Sequence, residues 1–110
     1  MALKILYRPS FSSTVAINTA HLQGSLSVTF LALPNSELRE IESVAAAAGK
    51  STQQAVLHTV VKGHETIDMY GTPLEFTGPE SLDKLLDVPG VGNAMLARYY
   101  AALWEQVQGN

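Results

Sequence analysis

Apolar and polar positions change their period twice along this chain, and the changes divide it into parts. Leu3, Ile5 and Tyr7 alternate with polar or exposed positions, and Val15 and Ile17 do so within Ser12–Asn18. Leu26, Val28, Phe30 and Ala32 form the cleanest period-two face, opposed by Ser25, Ser27 and Thr29. Alternation of this kind belongs to half-buried strands. With a polar turn at Thr19–Gly24, the N-terminal third reads as a small antiparallel meander.

After Pro34 the spacing becomes helical. Leu38, Ile41, Ala45 and Ala48 share one helix face, Asn35 or Ser36 is the expected cap, and Glu37 suits the first turn. Gly49 is the expected stop, because the left-handed residue after a helix is usually glycine. Ser51 or Thr52 can start a second helix carrying Val56, Leu57, Val60 and Val61, broken by Gly63. Ile67 and Met69 suggest a short strand, Tyr70–Pro73 a turn, and Leu74 and Phe76 a return in alternation.

Thr77 and Glu80 have capping-box spacing around Pro79, and Leu82, Leu85 and Leu86 continue a short helix. Val88-Pro89-Gly90 interrupts it. A last helix is expected from about Val91 to Val107. It has little polar face, so it is either central to the fold or buried against another chain. The pattern predicts one α+β domain over residues 1–110: an N-terminal antiparallel sheet of about three strands and about four helices.

Composition narrows the function. Net charge is −3, and the seven cations (Lys4, Arg8, Arg39, Lys50, Lys62, Lys84 and Arg98) form no run. Nucleic-acid binding draws most of its affinity from a basic face, so nucleic acid is disfavoured as a partner. With no cysteine, disulfides, thiolate metal sites and a cysteine nucleophile are excluded. The start reads as strand and not as a signal peptide, and no apolar run is long enough to span a membrane. A cytoplasmic setting is expected. The charged fraction of 15% and mean hydropathy of +0.10 hint at surface covered by a partner.

The chemical motifs are fragments. Gly49-Lys50-Ser51-Thr52 resembles the end of a phosphate loop, but Val44 stands where the earlier glycine belongs, and four alanines fill the gap. Leu86-Asp87-Val88-Pro89-Gly90-Val91-Gly92 resembles the hairpin of helix-hairpin-helix DNA-binding modules, the second reading of this chain. The segment from Gly78 onward carries only Lys84 and Arg98 against Glu80, Asp83, Asp87 and Glu105. His21, His58 and His64 have no metal-ligand spacing, and Asp83 and Asp87 read as a solvated pair on one helix face. No nucleophile, base and oxyanion donor converge, so no catalytic residue, cofactor or metal is expected.

The C-terminal half resembles the tail assembly chaperones of long-tailed phages. The resembling text is Val60-Val61-Lys62-Gly63, then Gly71-Thr72-Pro73-Leu74-Glu75-Phe76-Thr77, then Glu80–Asp87, Val88-Pro89-Gly90-Val91, and Ala94 and Tyr99 running into Leu103. Val28–Leu33 leading into Glu37-Leu38 is similar to the family's first half. His64 departs from it, standing where many members have tryptophan.

The resemblance implies a non-enzymatic protein that coats the tape measure protein, recruits tail tube subunits, self-associates and is absent from the finished virion. It would act in the cytoplasm of an infected or lysogenic bacterium. In many such phages a longer product also arises by ribosomal frameshifting. The contact residues expected for protein binding are Tyr99, Tyr100, Leu103 and Trp104, with Leu82, Leu85 and Leu86 as a second patch.

Overall fold

The structure, a computed structural model, describes residues 3–104. Two long strands, β1 (Ser10–Asn18) and β2 (Gln23–Leu31), form a hairpin. Helices α1 (Asn35–Ala47) and α2 (Thr52–Val60) follow, then β3 (Val61–His64), which pairs antiparallel with β2. A small hairpin of β4 (Ile67–Met69) and β5 (Thr72–Leu74) leads to α3 (Pro79–Leu86) and α4 (Val91–Trp104). The class is α+β, with a three-stranded antiparallel sheet ordered β1-β2-β3.

The third strand is not the one that the alternation at Leu3–Tyr7 suggested. That segment joins no strand among the described residues, and its side chains are exposed. The place beside β2 is taken by β3, whose Val61 is buried opposite Phe30. Val61 was expected inside the second helix. It turns extended instead, with φ −81° and ψ 118°, so the helix passes directly into the strand. Two consecutive β-branched valines favour that change, since such residues fit a pleated surface better than a helix.

The inner face of the sheet carries Val15, Ile17, Leu26, Val28 and Phe30, all buried. Against it lie α4 and α2, with α1 packed on α2 and α3 on α4. The outer face is small and hydroxylic: Ser12, Thr14, Ser25 and Ser27 are exposed. This is the division expected when one face of an antiparallel sheet meets the core and the other meets water.

The helix ends follow the sequence in part. Ser51 caps α2 as expected, its hydroxyl accepting from the Gln54 amide at 3.2 Å. Gly49 ends the preceding helix with φ +69°. Neither Asn35 nor Ser36 caps α1; the cap is Pro34, whose carbonyl accepts from the amides of Glu37 and Leu38. Thr77 and Glu80 form no capping box, because α3 starts one residue later, after Gly78. Ser81 takes the role: its hydroxyl accepts from the Thr77 amide and donates to the Gly78 carbonyl, both at 2.9 Å. The Tyr70-Gly71 turn has positive φ at both residues (55° and 85°), the twist a two-residue hairpin requires.

Candidate protein-binding surface

Helix α4 is apolar nearly all round, and the fold uses most of that surface itself. Val91, Met95 and Tyr99 point into the core. Tyr99 is fully buried, with ring centroids 5.3 Å from Phe30 and 5.6 Å from Tyr100. Its hydroxyl donates to the Leu31 carbonyl at 2.9 Å and accepts from the Leu33 amide at 3.1 Å. Tyr99 thereby ties α4 to the end of β2 and, being buried, has no surface to offer a partner. Burial pushes its phenol above the ordinary range.

Leu82 and Leu85 are also core residues, 1% and 3% exposed, because α3 turns that stripe inward toward α4 and α2. Leu86 is half-buried. Of the second contact patch expected at Leu82, Leu85 and Leu86, the fold itself therefore covers Leu82 and nearly all of Leu85, and Leu86 keeps part of its surface. Amphipathic spacing marks the face that is buried and does not say whether the cover is the same chain or another.

What remains open lies at the far end of α4. Trp104 is 75% exposed, and Tyr100 and Leu103 are half-buried. These three, with Asn35, Leu38, Arg39 and Glu42, line a groove between α1 and α4. The Tyr100 hydroxyl donates to Glu42 Oε2 at 2.9 Å across it. The predicted end of this helix near Val107 lies outside the described residues.

Burial and the Glu42 carboxylate push the Tyr100 phenol up to about 12. A phenol with a folded pKa raised above its unfolded value near 10 stabilises fully below pH 10. That contribution is lost as pH rises through about 12. Urea midpoints compared at about pH 9 and about pH 11 should therefore fall more for the wild type than for Tyr100→Phe. Equal losses would remove Tyr100 from the linkage.

Two further apolar surfaces lie largely outside the residues expected for contact. Leu3, Ile5, Leu6 and Tyr7 form an exposed arm ahead of β1. The arm is held at its base by the Arg8–Glu37 ion pair and by the Tyr7 hydroxyl donating to Glu37 at 2.9 Å. These bonds, Arg8 first, lower the Glu37 carboxyl below its usual range. The alternation at Leu3–Tyr7 was visible, but alternation cannot say that a strand lacks a neighbour. The second feature is an apolar cleft lined by Ile17, Leu22, Ile67, Met69, Leu85 and Val88, beside the exposed ring of Tyr70. Its walls come from distant parts of the sequence.

The motif fragments resolve into structure. Gly49 to Thr52 is a helix stop and a helix start. Asp83 and Asp87 do not act together. Asp83 leaves the pair to accept from Gln54 at 3.0 Å and to contact His58 Nε2 at 2.5 Å, joining α3 to α2. Those bonds, Gln54 first, lower the Asp83 carboxyl. At the Val88–Gly92 turn, Gly90 has φ +88°, and Gly92 is buried against the Gln53 side chain. Of the two cations in this half, Arg98 points to the sheet, its Nε donating to Ser13 Oγ at 2.7 Å.

Among the described residues, no three of His, Cys, Asp and Glu gather to hold a metal ion. No described helix is long and apolar enough to cross a membrane. No family model, no curated protein and no solved structure matches this chain.

Proposed function

We propose that this chain is a non-enzymatic, protein-binding chaperone of phage tail assembly, which holds the tape measure protein and recruits tail tube subunits. The observation that carries the reading is the α1–α4 groove with Trp104 standing exposed at its rim. A large aromatic ring beside a half-buried tyrosine and leucine is the composition of an interface anchor. A groove between two helices suits the apolar stripe of a third, which a long helical tape measure protein supplies. The sequence resemblance at Gly71–Thr77 and Glu80–Val91 supports the same reading. An acidic net charge of −3 helps keep a coated complex dispersed. The cytoplasm of the infected or lysogenic host, and absence from the mature virion, belong to this proposal.

The test is coexpression with the tape measure protein of the same phage genome. The wild type is expected to raise the soluble fraction of that protein and to copurify with it. Trp104→Ala should abolish most of the effect while changing the chain's own stability by less than about 0.5 kcal/mol, as for an exposed substitution. Failure of the wild type to solubilise the tape measure protein would sink the proposal. A helix-hairpin-helix DNA module would instead shift duplex DNA in a salt-dependent manner.

A further inference from the structure

Strand β1 is an edge of the sheet and, at nine residues, a long one. In the β1–β2 register, Pro9 accepts from the Ala32 amide at 2.8 Å, so Phe11, Ser13, Val15 and Ile17 aim their backbone groups at β2. Ser10, Ser12, Thr14, Ala16 and Asn18 then aim theirs outward. No hydrogen bond reaches those outward backbone groups among the described residues. Proteins usually protect such an edge with charge, proline, a bulge or a short length. The opposite edge, β3, has four residues and a register shift beside it. From Ser10 to Asn18, β1 has no charge and no proline, and its pairing register is unbroken.

The same chain carries a strand without a sheet. Leu3 and Ile5 are 85% and 83% exposed, and Tyr7 completes their alternation. Exposed apolar side chains in a row mark a surface that another chain covers. The arm does not reach its own edge strand. Arg8 turns the backbone with φ 53° and is anchored, with Tyr7, to Glu37 on α1. Among the described residues the arm forms no ladder with its own β1.

We propose that the Leu3–Tyr7 arm of one copy adds as a strand to the free β1 edge of a second copy. The exchange is mutual and closes a two-fold dimer. One contact then satisfies both features. The outward amides and carbonyls of β1 gain partners, as in strand addition generally. Leu3 and Ile5 continue the inner face beyond Phe11 and Ser13, which are only half-buried at this edge. A β1–β1 pairing would satisfy the edge but leave the arm in water. The inference does not depend on a role in tail assembly, and its test uses the purified chain alone.

Light scattering on the eluting full-length protein should give the mass of two chains. The double variant Ile5→Pro/Leu6→Pro removes arm amides on both sides of a segment its own chain leaves unpaired, so the one that faces the edge is lost in either strand direction, and it should give the mass of one with unchanged far-UV circular dichroism. Thr14→Pro should do the same, because the Thr14 amide points outward and is not used in the β1–β2 ladder. If that variant unfolds, Ile5→Pro/Leu6→Pro still decides.

The absence of native cysteine permits a cross-linking test. Leu6→Cys mixed with Thr14→Cys, Ser12→Cys or Ala16→Cys should form a reducible link of double mass in at least one pairing. A wild type that stays monomeric at high concentration overturns the proposal. So does an Ile5→Pro/Leu6→Pro variant that keeps the dimer mass, or Thr14→Cys linking only to itself. A link within single chains of the Leu6→Cys/Thr14→Cys double variant at high dilution also overturns it, by placing the arm on its own edge.

Discussion

Tyr99→Ala is expected to remove about 3–5 kcal/mol of folding stability, a large fraction of what a small domain has. The ring is fully buried between Phe30, Phe11 and Tyr100, so its loss opens a cavity where the sheet meets α4. Tyr99→Phe separates packing from hydrogen bonding. It keeps the ring but leaves the Leu33 amide and the Leu31 carbonyl without their shared partner. The expected cost is about 1–3 kcal/mol, the range for a buried polar group left unsatisfied. Urea denaturation of both variants checks this. A Tyr99→Phe midpoint equal to the wild type would mean that water reaches the two backbone groups and that the end of β2 is looser than described.

Leu82→Ala is the second large effect, about 2–5 kcal/mol. Leu82 is 1% exposed and sits where α3 meets α2 and α4. The same chemical change at an exposed position costs little, so Leu82 and Trp104 make a useful contrast. Leu82→Ala should lower the denaturation midpoint and affect partner binding only through the folded fraction. Trp104→Ala should leave the midpoint in place and act on binding. If Leu82→Ala proves nearly neutral in stability, α3 is not packed as described, and the leucine stripe returns to the list of contact surfaces.

Both predictions turn on residues that periodicity marked as apolar without saying what covers them. Leu82, Leu85 and Tyr99 were expected as contacts and are core. Trp104 was expected with them and is exposed. In sequence the four look alike, since all lie on helices with a wide apolar face. Their separation follows from where α3 and α4 stand against the sheet. Trp104, the last described residue of α4, stands where α1 leaves an open groove and not a covered seam.

The elements themselves were legible where local chemistry is decisive. The period-two run at Leu26–Phe30, the stop at Gly49, the cap at Ser51, the Tyr70-Gly71 turn and Pro79 in a first turn all needed only a few neighbouring residues. Caps were missed where backbone competed with side chain, as when the Pro34 carbonyl took the amides that Asn35 or Ser36 was expected to influence.

The α+β class, most of the strand and helix segments, the acidic balance and the absence of thiol chemistry were readable from the sequence. These depend on spacing and composition within short windows. Only the tertiary structure decided that β3, and not the Leu3–Tyr7 segment, completes the sheet. It alone decided which apolar residues are core, which edge of the sheet stands open, and that Ser81 and Asp83 serve the joints of α3. The physical reason is that strand pairing and burial are contacts between residues far apart in sequence. A local pattern states that a residue needs a neighbour, and the fold supplies which one.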